Sequence, residues 1–401
     1  MKDIKWIHNR RSRGSQAKVP TEFFNEDETK TVRDFHRSFP GYVETPLRSL
    51  PNLANYLGVA GMYVKDESPR FGLNAFKALG GSYAIGRYLA SRLNMDGRNL
   101  SFEKLRLEVA KNLPGRITFT TATDGNHGRG VAWAAWQFDQ NAVVYLPKGT
   151  SKIRLDNIKA TGAEALITDQ NYDDTVRMVA QKAKDSGWVI VQDTAWEGYE
   201  EIPAWVMQGY TTMAAEALEQ LQGFGQDSPS HVFVQAGVGS LPAAVQGYFT
   251  ARYKDARPKV IVVEPDKADC MFKSALAGDG KPRKITGNMD TIMAGLACGE
   301  PNPVAWQLLF DYTDMFISCP DYVAARGMRV LGNPLGSDPR VISGESGAVT
   351  TGIVKEILQR EDLQEIKDCL ELDSNSKILV FSTEGDTDPA NYRRIVWDGV
   401  L

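Results

Sequence analysis

The most informative residue of the sequence is Lys77, which lies in the apolar, glycine-bounded stretch FGLNAFKALGG (residues 71–81). This stretch leads into a predicted helix over residues 78–93. Burying an ammonium group in apolar surroundings is unfavourable unless the group is paired or loses its proton. A buried lysine with a lowered pKa is the residue type that forms a Schiff base with a carbonyl cofactor. The alternative is a lysine whose stem packs at a helix start while its ammonium group reaches solvent.

A second candidate site is the loop Gly237-Val238-Gly239-Ser240, which follows a predicted strand and precedes a predicted helix. Glycines let the backbone approach a phosphate, and a helix N-terminus supplies amide donors and the positive end of a dipole. A plain tight turn is one alternative. A dinucleotide site is another, because Glu264 ends the next strand where a ribose-binding acid would lie. Pro242 replaces the third glycine of that motif, which argues against a dinucleotide.

Two aspartates and a pair of hydroxyl residues are further candidates, each placed where a predicted strand ends. Asp124 lies in TDGNHG, where a carboxylate can act as a base or cap the following helix. Asp193 suits a substrate that carries an additional ammonium group, although a solvated turn acid is an equal alternative. Ser382 and Thr383 follow the last predicted strand. His127 is interpreted as a helix-start residue without a catalytic role.

Short strands alternate with helices along the chain, and this pattern predicts right-handed βαβ crossovers and parallel sheet in an α/β fold. The sequence has no internal repeat and no low-complexity linker. We therefore expect two interlocked open α/β domains. The predicted strands are 116–121, 142–146, 165–168, 188–191, 231–235, 259–263 and 377–381, and the predicted helices include 127–137, one from 151, 173–185 and one from about 241.

The bulk composition excludes several classes of function. The 401 residues contain 42% hydrophobic and 24% charged residues, which is ordinary for a globular protein. The net charge of −4 gives no electrostatic footprint for nucleic acid or an anionic membrane. No apolar run is long enough to span a bilayer. The four histidines are scattered, so the sequence predicts no metal site.

The four cysteines lie far apart in the sequence without CxxC spacing. This usage argues against structural zinc and favours a reducing compartment, so we expect a cytoplasmic protein. A disulfide between Cys270 and Cys298 stays open on the sequence alone.

Many segments, in order, resemble those of the fold-type-II (tryptophan synthase β-like) enzymes that depend on pyridoxal 5'-phosphate (PLP). The resemblance covers about residues 35–397, and several of its motifs are far more specific than the lysine motif. Those motifs are YVETPL (42–47), VKDES (64–68), FGLNAFKALGG, TATDGNHGRGVAWAA (121–135), NYDDTV (171–176), VQDTAWEGY (191–199), QAGVGS (235–240), VEPDKADC (263–270), IMAGLACGEPNP (292–303), MRVLGNP (328–334), ISGESGAV (342–349) and FSTEGDTD (381–388).

The resemblance implies the cofactor and its contacts. PLP would be bound to Lys77, its phosphate would lie on residues 237–240, and Asn126 would hydrogen-bond its phenolic oxygen. Ser382 would face the pyridine nitrogen, with Thr383 as the second choice. Phe76 would pack against the cofactor ring, although a core phenylalanine is the competing interpretation. Asp193 would belong to the substrate pocket.

The resemblance also implies the domain organisation. A small domain of residues 88–193 would be inserted into a large PLP-binding domain made of residues 1–87 and 194–401. The site would lie between the two domains, at the carboxyl ends of the strands. We further expect a homodimer. Glu345 could approach the cofactor, and a helix-start acid explains it equally well.

Family members with the most similar motifs eliminate ammonia from the small molecule 2,3-diaminopropionate. By resemblance, both the D and the L isomer would give pyruvate and two ammonia. Lys77 would remove the α-proton on its own face of the cofactor, and Asp124 would serve the D isomer from the other face. A serine or threonine dehydratase is the enzyme alternative, but it expects a small hydroxyl residue at position 124. A non-catalytic α/β ligand-binding protein is the alternative of another class.

Overall fold

The structure, a computed structural model, describes residues 3–16 and 18–401. It is an α/β fold with two sheets. The strands are β1 (Lys5–His8), β2 (Leu47–Ser49), β3 (Gly61–Asp66), β4 (Thr118–Ala122), β5 (Asn141–Leu146), β6 (Glu164–Ile167), β7 (Val189–Ile190), β8 (His231–Gln235), β9 (Lys259–Pro265), β10 (Met315–Cys319) and β11 (Lys377–Ser382).

Fifteen α-helices are described in the same part of the chain. They are α1 (Glu26–Arg37), α2 (Pro51–Leu57), α3 (Ala78–Arg92), α4 (Phe102–Asn112), α5 (Asn126–Gln137), α6 (Lys152–Lys159), α7 (Tyr172–Ser186), α8 (Glu201–Gly223), α9 (Ser240–Tyr253), α10 (Cys270–Ala277), α11 (Pro303–Tyr312), α12 (Asp321–Gly332), α13 (Glu345–Gln359), α14 (Gln364–Leu370) and α15 (Pro389–Val396).

The larger sheet has seven strands in the order β1-β10-β9-β8-β11-β3-β2, and the smaller has four in the order β6-β5-β4-β7. The smaller sheet is parallel throughout. The larger sheet is parallel except at its two edges, where β1 and β2 pair antiparallel with their neighbours. Edge strands of opposite direction on a parallel sheet are common in folds of this type.

The predicted strands and helices appear with ends shifted by at most two residues. The predicted strands 231–235 and 377–381, for example, correspond to β8 and β11. Because the strands that end at the site are buried, they read as β-branched and aromatic runs bounded by polar turns. The short strands β1 and β2 and the strands β3 and β10 were not predicted from the sequence.

The smaller sheet is built only from residues 118–190, and the larger sheet only from residues outside that range. The predicted division into 1–87 with 194–401 and 88–193 stays a proposal, and its first boundary falls inside the continuous helix α3. No described helix is long and apolar enough to cross a membrane.

Helices α3, α5 and α8 approach one another closely because glycine lies at their contacts. A Cβ on Gly130 of α5 would lie 2.8 Å from the amide nitrogen of Ala78. A Cβ on Gly209 of α8 would lie 2.4 Å from the carbonyl oxygen of Leu79. A side chain at either position would push the start of α3 away from its neighbours. The glycines therefore fix where Lys77, the residue before α3, is placed.

The segment before Lys77 is held at both ends. At one end the fully buried Arg70 donates to the carboxylates of Glu67 and Glu216. At the other end the Phe76 amide donates to the carbonyl of Thr383 at 3.0 Å. Since the chain just after β11 also contributes to the cavity, this bond couples the lysine segment to that part of the site.

Candidate active site

The carboxyl ends of strands from both sheets surround a cavity of about 450 Å³. Its walls include Thr123 and Asp124 after β4, Gly237 after β8, and Thr383 and Glu384 after β11. Ligands of open α/β folds bind at this edge of the strands. The resemblance implied a site at the carboxyl ends of the strands. The structure brings the predicted residues that follow β4, β8 and β11 together around this cavity.

Lys77 is paired with Asp193 inside this cavity. Its Nζ lies 2.5 Å from Asp193 Oδ2, and both side chains are largely buried. Burial alone would lower the pKa of Lys77, but the carboxylate of Asp193 raises it above its usual range. The lowered pKa expected from the apolar sequence context is therefore wrong for this pair. Asp193 was predicted to belong to the substrate pocket, but its pairing with Lys77 was not, because the two residues are 116 positions apart in the chain.

Asp193 is oriented by groups on both of its oxygens. Burial would raise its pKa, yet Lys77 holds the pKa well below its usual range. The hydroxyl of Tyr172 donates to Asp193 Oδ1 at 3.3 Å. The side-chain Nε2 of Gln192 donates to the same hydroxyl at 2.9 Å. The carboxylate is therefore fixed relative to the lysine by two further side chains.

His127 lies in the first turn of α5 and lines the cavity. Its Nε2 faces the carbonyl oxygen of Val191 at 2.8 Å, so Nε2 must carry the hydrogen. Burial lowers the pKa of His127, which keeps the ring neutral. This placement agrees with the predicted helix-start position.

Asp124 faces the cavity and is held by a cation that the sequence did not reveal. Arg154 Nη1 lies 3.2 Å from the Asp124 carbonyl oxygen and 3.4 Å from its Oδ2. Burial opposes the charge of Arg154, but Asp124 raises its pKa. Arg154 lies on α6, and nothing in its local sequence distinguishes it from a surface arginine.

Asn126 begins α5 and reaches across to the end of β11. Its Nδ2 donates to Glu384 Oε2 at 2.5 Å. The other oxygen of Glu384 accepts from the amide of Ser346 at 3.1 Å. Glu384 is thus a residue of the site. The sequence analysis missed it, although it lies in the motif FSTEGDTD directly after the two hydroxyl residues that were named.

Of those two hydroxyls, Thr383 lines the cavity and Ser382 does not. Ser382 is buried and donates to Ser343 Oγ at 2.8 Å. Thr383 Oγ1 accepts from Gln235 Nε2 at 2.7 Å, which leaves the hydrogen of Thr383 free to point elsewhere. This geometry favours Thr383, because β11 continues through Ser382 and Thr383 is the first residue beyond the strand. The choice between the two hydroxyls stays a prediction.

Phe76 both lines the cavity and belongs to the core. Its ring lies 4.6 Å from that of Tyr210, and Lys77 Nζ lies 5.4 Å and 5.9 Å from the centres of these two rings. The two interpretations of Phe76 in the sequence are therefore compatible. Tyr210, on α8, had no sequence signal because it lies within a long apolar helix.

The glycine loop has the form expected of a phosphate site. Gly239 has φ +97°, a conformation that other residues rarely adopt, and α9 begins directly after it at Ser240. The residues from Gly237 to Leu241 line the cavity, where the first amide groups of α9 have no acceptor within their own helix. The Ser240 hydroxyl, however, donates to the carbonyl of Asp193, so it supports the loop rather than facing outward.

These residues fit PLP. A Cβ on Gly237 would lie 3.2 Å from the Gly295 carbonyl oxygen and 3.3 Å from Cys298 Sγ, so glycine at this position lets the loop pack closely against residues 295–298 of the cavity wall. Lys77 supplies the amine for the cofactor's carbonyl, Asn126 an amide, and Thr383 a hydroxyl.

Each of the four cysteines is free, and Cys270 and Cys298 are both buried. Within the described residues no group of three or more His, Cys, Asp or Glu side chains could hold a metal ion.

Comparison with known families identifies the class to which this fold and site belong. Residues 39–371 match the sequence profile described as "Pyridoxal-phosphate dependent enzyme". The match covers most of the chain, including the lysine segment and the glycine loop. The chain belongs to this family, and its fold is that of the fold-type-II members.

Individual relatives narrow the family further. The chain is 52% identical to a diaminopropionate ammonia-lyase of Escherichia coli (strain K12) over 376 residues, which is 94% of this chain and 93% of the relative. It is 49% identical to that of Salmonella typhimurium over 99% of this chain and 98% of the relative. A crystal structure of the holo Escherichia coli enzyme aligns with a TM-score of 0.91 and 50% identity, over 99% of this chain and 97% of that one. The chain belongs to the diaminopropionate ammonia-lyases, a family of lyases.

Proposed function

We propose that the protein uses PLP to eliminate ammonia from D- and L-2,3-diaminopropionate, giving pyruvate and two molecules of ammonia. The observation that carries the proposal is the pairing of Lys77 Nζ with Asp193 Oδ2 at 2.5 Å in a cavity that Asp124 also lines. A small hydroxyl residue at position 124, as in a serine or threonine dehydratase, would remove that carboxylate from the cavity.

Bound PLP would act as the electron sink that acidifies the α-carbon of the substrate. Lys77 is the amine that would hold it, and once released Lys77 Nζ takes the α-proton of one isomer. An amine accepts a proton only in its neutral form, so Lys77 has to give up the proton that its pairing with Asp193 Oδ2 favours. Tyr172 keeps Asp193 in this orientation.

Asp124 is the proposed base for the D isomer. Arg154 holds both its carbonyl oxygen and one carboxylate oxygen, so the side chain has a fixed direction. Because one base reaches one face of the α-carbon, two enantiomers require two bases. Lys77 and Asp124 are the residues of the cavity that meet this requirement.

Three further groups would hold the cofactor. The amides of residues 237–240 and the N-terminus of α9 would bind the phosphate, Asn126 the phenolic oxygen and Thr383 the pyridine nitrogen. Phe76 would border the ring.

The direct test is the release of ammonia and pyruvate from each isomer of 2,3-diaminopropionate and from L-serine. We expect turnover of both diaminopropionate isomers at higher kcat/KM than L-serine. Preference for L-serine would make the protein a dehydratase.

The two-base assignment is tested by Asp124→Asn. Asparagine keeps the volume and the polar contact with Arg154 but cannot accept a proton at neutral pH. Removing a positioned base slows a reaction by about 10²- to 10⁴-fold. We expect a loss of that order for the D isomer and a much smaller one for the L isomer, measured as the ratio of the two rates in variant and parent. An equal loss for both isomers would contradict the two-base assignment and leave Asp124 with substrate binding alone.

Residence in the cytoplasm and a homodimeric state are also proposed. The free, mostly buried cysteines suit a reducing compartment. Light scattering of the purified protein would measure the number of subunits, and a mass of one subunit would contradict the dimer.

A further inference from the structure

The cavity contains a polar group for which the chain itself provides no partner. Ser346 lies in the first turn of α13, is 4% exposed and lines the cavity. Its Oγ has no hydrogen-bond partner within the described part of the chain. An unsatisfied buried hydroxyl is costly, so native structures retain one where a ligand or another group completes it.

Ser346 Oγ and the carboxylate of Asp124 border the same space, which is open because residue 295 is glycine. A Cβ built on Gly295 would lie 3.1 Å from Ser346 Oγ and 3.4 Å from Asp124 Oδ2. Any other residue at this position would fill the gap between the two oxygens. A small polar group of the substrate that entered the gap could contact both.

The charges around this gap select a cation. Among the described residues that line the cavity, six carry carboxylates and three carry a positive charge; they are Asp124, Asp193, Asp290, Glu345, Glu384 and Asp388 against Lys77, Lys148 and Arg154. Lys77 is already paired with Asp193, and Arg154 with Asp124.

The N-terminus of α13 would by itself attract an anion. Here its Ser346 amide is already taken by Glu384 Oε1, and the first residue of the helix is Glu345. Acidic side chains of the chain therefore compensate the positive end of the helix dipole, and the electrostatic potential in the gap stays negative.

We propose that Ser346 Oγ and the Asp124 carboxylate form the subsite for the ammonium group on C3 of the substrate, with Gly295 providing the space. The ammonium group donates to both oxygens. Ser346 is thus a residue that determines specificity for an amino leaving group. This inference rests on the proposed function and deepens it.

The test compares two substrates that differ at C3. The ammonium group of 2,3-diaminopropionate donates hydrogen bonds, whereas the chlorine of β-chloroalanine cannot. A hydrogen bond to a charged group is worth about 10- to 100-fold in binding. We expect Ser346→Ala to shift the ratio of kcat/KM, diaminopropionate over β-chloroalanine, downward by about that factor, mainly through KM. PLP retention, measured by absorbance after dialysis, should equal that of the parent.

Thr351→Val is the matched control. Thr351 is on the same helix, is 1% exposed and also has an unpartnered hydroxyl, but it does not line the cavity. Its substitution should leave the ratio unchanged. Gly295→Ala should lower kcat/KM for both substrates, because a methyl group there fills the gap whatever the leaving group is.

The outcomes separate the two claims. A parent enzyme that releases no ammonia from diaminopropionate would overturn the proposed function. An active parent in which Ser346→Ala leaves the ratio at the value of Thr351→Val would overturn the subsite alone. Loss of PLP from Ser346→Ala would assign the hydroxyl to the cofactor and would likewise overturn the subsite.

Discussion

Lys65 and Lys77 are two buried lysines that differ in how completely their ammonium groups are satisfied. Lys65 is fully buried, and its Nζ has three acceptors: Thr45 O at 2.5 Å, Glu216 Oε2 at 2.7 Å and Gln220 Oε1 at 3.0 Å. An ammonium group has three hydrogens, so Lys65 has none left.

Lys77 has a single hydrogen-bond acceptor in the described chain, Asp193 Oδ2 at 2.5 Å. Its other surroundings are the rings of Phe76 and Tyr210 and the open cavity. Burial and a carboxylate partner therefore do not distinguish a structural lysine from a reactive one. What distinguishes them is whether the amine is left with free directions that face a space large enough for a ligand.

The largest expected effect is that of Lys77→Met on turnover. The variant loses both the amine that holds PLP and the proposed base, so the rate should fall by at least about 10⁴-fold, the upper range for removal of one positioned base. Its free energy of unfolding should fall less than that of Lys65→Met, because Asp193 keeps the Tyr172 hydroxyl and faces the cavity. Ammonia release and urea unfolding measure the two quantities. Full activity in Lys77→Met would contradict the assignment of Lys77 as the reactive lysine.

Lys65→Met is the matched change at the satisfied lysine. Removing one partner of a buried ion pair typically costs about 3–5 kcal/mol, because the charge left behind stays buried without compensation. Here Glu216 would retain only Arg70 as a cation. We expect that loss in the free energy of unfolding, while the folded variant keeps its kcat. Unchanged stability would show that Lys65 is not the structural member of the pair.

The smallest expected effect concerns two buried acids, Glu216 beside Lys65 and Glu345 in the cavity. Burial would raise the pKa of Glu216, but Arg70 and Lys65 lower it to about 2. Burial, together with repulsion from Glu384, raises the pKa of Glu345 from 4.5 to about 7. Because the pKa of Glu345 is raised in the folded state, its contribution to the free energy of unfolding is fully present below pH 4.5. This contribution is lost as the pH rises through 7.

Glu345→Gln removes that dependence. Over the 2.5 pH units between the two pKa values of Glu345, the parent should lose about 3 kcal/mol of unfolding free energy relative to the variant, at about 1.4 kcal/mol per unit. Urea unfolding of both proteins at pH 5 and pH 8 measures the difference. Parallel pH dependences would place the pKa of Glu345 in its ordinary range.

The sequence predicted most of the fold that positions the site, because hydrophobic periodicity and polar turns report directly on buried strands. Lys77, Asp124 and the glycine loop were found because each stands in a local motif. The sequence could not predict which residues contact Lys77 and Asp124 in the folded protein. Asp193 meets Lys77 only through the packing of two sheets, and Arg154 reaches Asp124 from a helix 30 positions along the chain.

The predicted pKa of Lys77 was wrong, and the choice between Ser382 and Thr383 could not be made from the sequence, for the same reason. Both depend on which atom faces the cavity, and this is set by contacts between distant elements. Lys65 was equally hidden, since VKDES does not reveal that Glu216 and Gln220 come from α8 to satisfy it. Local sequence therefore locates candidate chemistry, while tertiary contacts decide which candidate is free to react.

We propose that Lys77, and not the satisfied Lys65, is the amine that holds PLP. Borohydride reduction of the protein with its cofactor, followed by proteolysis and mass spectrometry, locates the lysine to which the cofactor becomes fixed. We expect the phosphopyridoxyl group on the peptide that contains Lys77, at one per chain, and an unmodified peptide around Lys65. A fixed cofactor on Lys65, or on any lysine outside the cavity, would contradict it.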